Sequence, residues 1–147
     1  MAITPPSVQA RRVVVDSSAY LALLDEDDEH HTHAQAILRQ LVRERYRQYT
    51  TNAMLVEAHA LILSNLGIGP AFQFLQALRA SNTVVVRVRQ RDEERAIQII
   101  GQYTDKGFSF NDALSFTVME RLGISSAFTF DRHFAQYGWT VLQAQQP

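Results

Sequence analysis

The 147 residues are 46% hydrophobic and 20% charged, carry 14 basic against 15 acidic side chains, and contain no cysteine. That length suits one domain with a core large enough to need no covalent staple. The missing cysteine excludes disulfides, thiolate nucleophiles, zinc ribbons and iron–sulfur clusters. No apolar run reaches the roughly 20 residues that span a bilayer, and the N-terminus lacks a signal-peptide pattern, so a cytoplasmic protein without membrane association is expected. The net charge of −1 argues against binding nucleic acid by bulk charge, although the basic residues cluster and all but Lys106 are arginine.

Residues 1–12 read as a polar tail and 13–147 as a single domain. Val13-Val14-Val15 is β-branched and too short for a helix, hence a buried strand. Asp16-Ser17-Ser18 breaks the run and caps a helix through Leu24. After the acidic loop Asp25 to Glu29, apolar residues at Ala34, Ile37, Leu38, Leu41 and Val42 predict an amphipathic helix from about His31 to Arg47. Residues 48–51 form a short strand, and Asn52 caps a helix that runs to Asn65 and stops at Gly67. That helix is apolar on nearly every side, so deep burial is expected. A helix from Pro70 to Ala80, a strand over 83–88 and a helix over 92–103 follow. A loop at 107–111 leads to a helix over 112–122, and strands at 127–130 and 139–142 flank a helical turn. Strands alternating with helices indicate an α/β fold with a mainly parallel sheet.

Ligands of such sheets bind beyond the carboxyl ends of the strands. Asp16 follows the first strand, Asp131 follows the strand at 127–130, Asp112 opens a helix, and Glu57 sits one turn into the helix after the short strand. All four carboxylates can therefore face one cleft. Singly, Asp16, Asp112 and Asp131 also fit helix caps, Asp112 as the acid of a capping box begun by Ser109. Glu57, set among apolar residues, needs a partner such as Arg87 or a cation. Carboxylates about 5 Å apart repel by roughly 3 kcal/mol at an effective dielectric near 20, so a shared cleft calls for a hard divalent ion. An all-oxygen site suits Mg²⁺ or Mn²⁺, which activates water and offsets charge on a phosphodiester.

Four ordered blocks carry a resemblance. Val13-Val14-Val15-Asp16-Ser17-Ser18-Ala19-Tyr20 resembles the opening of PIN-domain ribonucleases, especially the toxin halves of VapBC-type toxin–antitoxin pairs. Thr50-Thr51-Asn52-Ala53-Met54-Leu55-Val56-Glu57, Phe108-Ser109-Phe110-Asn111-Asp112 and Phe128-Thr129-Phe130-Asp131 resemble the second, third and fourth acidic motifs. The resemblance spans residues 13 to 142. It implies a three-layer fold with a five-stranded, mainly parallel sheet flanked by helices, and metal-dependent endonucleolytic cleavage of RNA. It places Asp16, Glu57, Asp112 and Asp131 on the catalytic, metal-holding acids, with Ser18 and Thr129 as supporting hydroxyls. It also implies a cognate antitoxin and a homodimer.

Other features are less specific. His30, His31 and His33 read as a solvated loop beside the acidic run, and His133 as a solvated position that can reach phosphate. Arg43, Arg47 and Arg87 are candidate RNA contacts, because arginine forks bind phosphate bidentately; ordinary solvated faces explain them equally well. Phe72, Phe74, Leu75 and Leu78 fit either core packing or a small dimer interface. Two other functions remain open at this stage: a non-catalytic RNA-binding or scaffold module, and a phosphoacceptor or phosphatase domain. The second lacks a paired acid beside Asp16 and a suitably placed lysine.

Overall fold

The computed structural model describes residues 11–144. Of the predicted tail at 1–12, residues 1–10 lie outside that range, as do the last three residues of the chain, and Arg12 already belongs to the first strand. Strands β1 (Arg12–Val15), β2 (Arg47–Thr51), β3 (Val84–Val86), β4 (Ser126–Phe128) and β5 (Thr140–Val141) form one sheet in the order β3-β2-β1-β4-β5. Every pair is parallel. The chain leaves β1 toward β2 on one side and reaches β4 on the other, so the strand order reverses beside β1. A crevice opens there at the carboxyl edge.

The period-two geometry of a strand sends alternate side chains to opposite faces. Val13 and Val15 point into one core with Phe128, and Val14 into the other with Ala127. The first core is closed by α1 (Ser17–Leu24), α2 (His31–Arg43), α3 (Asn52–Leu66) and α4 (Ile68–Ala80), through residues such as Ile37, Leu41, Ile62 and Phe74. The second is closed by α5 (Gln90–Gln102), α6 (Phe110–Leu122) and α7 (Arg132–Tyr137), through Ile99, Phe116, Met119 and Phe134. Burial on both faces explains the uninterrupted valines. No helix among the described residues is long and apolar enough to cross a membrane.

Several element ends differ from the expectation, each for a local reason. The second helix stops at Arg43 because Arg45 takes a left-handed conformation (φ 57°). The Arg45 and Tyr46 N–H groups then donate to the carbonyls of Val42 and Leu41, a Schellman ending built without glycine. Thr51 rather than Asn52 caps α3, its Oγ1 accepting from Met54 N–H at 2.9 Å. Asn52 instead accepts from Val88 N–H at 2.8 Å, beyond the end of β3 at Val86. Gly67 (φ 95°) joins α3 directly to α4. Helix α3 is not buried all round: Met54, Ala58 and Ile62 face the core, while Val56 and Leu63 are exposed. Together with Ile68, Phe72 and Leu75 they leave an apolar surface on α3 and α4.

One buried ion pair ties α5 to α6. Asp92 accepts both prongs of the Arg121 fork, from Nε at 3.0 Å and Nη2 at 2.9 Å, and also caps the Arg89 N–H. Burial alone would raise this carboxyl, but the Arg121 fork and the Arg89 N–H hold it below its ordinary value. Removing one partner strands a buried charge, so Arg121→Ala should cost about 3 kcal/mol in urea unfolding at neutral pH. A depressed folded pKa contributes stability above the unfolded value and loses it as pH falls through the folded value. The gap between wild type and Arg121→Ala should therefore narrow in acid.

Candidate active site

Asp16 is the first residue beyond β1 and the N-cap of α1. Its Oδ2 accepts from Ser18 Oγ at 2.6 Å, from Ser18 N–H at 3.3 Å and from Thr129 Oγ1 at 2.9 Å. Thr129 follows β4, and its hydroxyl also accepts the Asp131 N–H at 2.9 Å. Ser18 Oγ accepts the Phe130 N–H at 2.9 Å. These bonds explain why β4 ends at Phe128 and not at the predicted Phe130: the next N–H groups turn to the two hydroxyls instead of the sheet.

Asp112 is both a cap and a member of the cleft. It forms the anticipated capping box with Ser109, each side chain accepting the other's N–H at 3.0 Å. The same Oδ2 lies 2.8 Å from His133 Nδ1. Asp131 caps α7 by accepting the His133 N–H at 2.9 Å, and its Oδ1 is 3.4 Å from His133 Nδ1. Ligand atoms of Asp112, Asp131 and His133 all lie within 4.8 Å of one another.

Glu57 departs from expectation in its surroundings. It is exposed, and its Oε2 accepts from Ser17 Oγ at 3.2 Å and from Asn111 Nδ2. The alternative of a salt bridge to Arg87 is not realised among the described residues, because Glu57 lies on the open side of α3 and is held by neutral donors. Glu57 and Asp131 both act electrostatically on Asp16, and Asp112 is drawn to Asp131 through His133, so the four predicted acids gather at one sheet edge. Each of them also uses only one carboxylate oxygen on the protein. Oδ1 of Asp16, Oδ1 of Asp112, Oδ2 of Asp131 and Oε1 of Glu57 have no hydrogen-bond partner among the described residues.

Electrostatics match this crowding. Burial pushes the Asp16 carboxyl up to about 6, opposed by the Ser18 and Thr129 hydrogen bonds and reinforced by Asp131 and Glu57. A cation among these oxygens relieves that strain, and the donor set fits a hard divalent metal. The all-oxygen reading of the sequence did not foresee His133, which stands against two of these acids. His133 is only 18% exposed and not the solvated position expected. Its Nδ1 faces two carboxylates, at 2.8 Å from Asp112 Oδ2 and 3.4 Å from Asp131 Oδ1. Glu57's two neutral donors and the His133 contact were missed because their partners are remote in sequence and no local pattern announces them.

The arginines divide by edge. Arg43 ends α2 and Arg47 begins β2 opposite Arg12, so both stand at the amino edge, away from the acids. A groove of about 660 Å³ beside Arg45, Arg47 and Asn82 lies at that edge too. Arg87 is exposed just past β3, on the same edge as Asp16. The three early histidines are not a solvated loop. His31 Nδ1 lies 2.7 Å from the Ala22 carbonyl, His33 Nε2 accepts the Ala144 N–H at 3.2 Å, and His30 stacks on Phe130.

The family model of the PIN domain matches residues 13–139. The chain belongs to the PIN-domain family. This PIN-domain protein is closely related to a VapBC-type ribonuclease. It is 30% identical over 134 residues to the 23S rRNA-specific endonuclease VapC20 of Mycobacterium tuberculosis, in strains CDC 1551/Oshkosh and H37Rv. The match covers 90% of this chain and 99% of the relative. The crystal structure of the M. tuberculosis VapC20, a sarcin–ricin loop cleaving toxin, superposes with a TM-score of 0.80 at 29% identity, covering 89% of this chain and 98% of that one.

The raised Asp16 pKa makes a pH prediction. An unfolded aspartate ionises near 3.8 and the folded one near 6, so metal-free folded protein loses stability as pH rises between those values. Asp16→Asn lacks this titration. In EDTA its melting temperature relative to wild type should rise from pH 4 to pH 6.5 and level off above. A constant difference across that range would contradict the assignment.

Proposed function

We propose that this PIN-domain protein is a metal-dependent endoribonuclease, the toxin component of a toxin–antitoxin pair, and that Asp16, Glu57, Asp112 and Asp131 form its catalytic pocket. The observation that carries this reading is the one-sided use of every carboxylate. Protein donors fix one oxygen of each, and the other is left for a ligand. Asp16, Asp112 and Asp131 would hold Mg²⁺ or Mn²⁺, with Glu57 at the margin. The ion supplies an activated water and offsets charge on the phosphodiester.

The chain's own residues set up that chemistry. Ser18 and Thr129 orient Asp16, and Thr129 links it to the backbone that carries Asp131. Ser109 fixes Asp112 from one side and His133 from the other. Ser17 and Asn111 hold Glu57 by Oε2, so Oε1 can accept a proton. Arg87, on the same edge, is suited to position a phosphate, and His133 reaches RNA only past the acids it contacts. Arg43 and Arg47 would touch RNA only if the strand wraps to the amino edge.

The substrate is single-stranded or looped RNA, and the sarcin–ricin loop of 23S rRNA, the target of the M. tuberculosis relative, is the first to test. The partner is a cognate VapB-like antitoxin. The exposed apolar residues of α3 and α4 suit self-association as a homodimer. A binding-only module has no observation in its favour, since no acid is missing.

The purified protein should cleave RNA only with a divalent ion, and EDTA should stop it. Asp16→Ala should lower cleavage by at least about a hundredfold while the fold persists, and its expression alone should not arrest growth as the wild type does. Arg87→Ala should weaken binding in a salt-dependent way without removing turnover. Metal-independent cleavage, or full activity in Asp16→Ala, would overturn the reading.

A further inference from the structure

Beside the acids, between the start of α2, the loop after β4 and the segment after β5, lies a cavity of about 360 Å³. Thr129 and Asp131 of the acidic pocket form part of its wall, so the cavity adjoins the acids. The rest of the wall has a different chemistry. His30 lies flat on Phe130, with ring centroids 4.4 Å apart and planes 4° from parallel, and His33 meets the same phenyl ring at 5.7 Å. His33 Nε2 accepts the Ala144 N–H, so a neutral ring carries its proton on Nδ1. Arg132 stands at the rim, exposed and without an ion pair among the described residues.

Capping does not account for the His30 ring. It is the N-cap of α2 but makes no side-chain cap. One ring face is covered by Phe130, yet the side chain remains 42% exposed, so the stack ends in an open aromatic surface. Unpaired bases bind protein by stacking on such rings, and arginine positions the phosphates that join them. A pocket of four carboxylates repels the RNA backbone until a cation is in place, whereas the face of an aromatic ring next to it, held at its Nε2 edge 3.2 Å from Glu29 Oε1, can hold a base.

We propose that the His30–Phe130 stack is a nucleobase platform, receiving an unpaired base adjacent to the scissile phosphate, with Arg132 contacting the neighbouring phosphate. This rests on the ribonuclease reading, and it adds a substrate contact outside the acidic motifs. Base–aromatic stacking is worth about 1–3 kcal/mol per base, or about 5- to 150-fold in affinity.

The test uses short single-stranded RNAs with one 2-aminopurine moved along the strand, bound to the Asp16→Asn protein so that nothing is cleaved. At one position the fluorescence should be quenched by stacking. Adding His30→Leu, which keeps apolar packing on Phe130 but removes the flat ring, should abolish the quench and weaken binding at least about fivefold. His30→Phe should retain both. In the otherwise wild-type protein, His30→Leu should raise KM for RNA cleavage and leave kcat nearly unchanged. Absence of quenching at every position, or equal quenching and affinity with His30→Leu, overturns the platform. Divalent-dependent cleavage that His30→Leu does not alter also overturns it while the nuclease stands. Ring-dependent quenching in a protein that never cleaves supports the platform and removes the nuclease.

Discussion

Thr129 Oγ1 donates to Asp16 and accepts the backbone N–H of Asp131, so one hydroxyl spans the crevice where the strand order reverses. Around it the ends of β1 and β4, the start of α1 and the start of α7 converge. The constraint it satisfies is electrostatic. Four acids gather at one edge of a parallel sheet, and burial, reinforced by Asp131 and Glu57, raises the Asp16 carboxyl. Neutral hydroxyls and amides aim the carboxylates without cancelling their charge. Among the described residues, His133 is the basic side chain in contact with them. A site built this way holds negative charge ready for a divalent ion.

The sequence showed the frame of this arrangement because its signals are local. Three valines buried on both faces, an acid directly after a strand, and Ser109 three residues before Asp112 can each be read within a few positions. The order of four acidic blocks did the rest. What stayed hidden depends on tertiary placement. Apolar Val56 and Leu63 look like core but lie on the outer side of α3. Thr51 and Asn52 are both good caps, and only the arrival of Val88 decides that Asn52 turns elsewhere. Arg45 ends a helix in a conformation that glycine usually marks. His133 reads as a loop residue until α6 and α7 bring it to Asp112.

The two edges of the sheet serve different ends. The carboxyl edge carries the acids, Arg87 and, adjoining Thr129 and Asp131, the aromatic cavity of His30 and Phe130. The amino edge carries Arg43, Arg47 and their neighbours, where Arg11, Arg12 and Arg47 lie over tyrosine rings. Arg11, Arg12 and Arg47 are engaged locally and Arg43 stands at the far edge, so charge clustering in the sequence overstated the basic surface near the acidic pocket. RNA recognition is better served by a few contacts beside the acids than by bulk charge, in keeping with a net charge near neutral.

The central claim is that the unpartnered carboxylate oxygens hold a divalent cation. Titration calorimetry of Mn²⁺ into the wild type and into Asp112→Asn addresses it without reference to activity. Ser109 remains the N-cap of α6 and an asparagine amide oxygen can still accept its N–H in the capping box, so the fold is kept while the charge is removed. The account predicts saturable binding to the wild type and binding weakened by about tenfold or more in the variant. Equal affinity in the two proteins, or no binding to either, would contradict it.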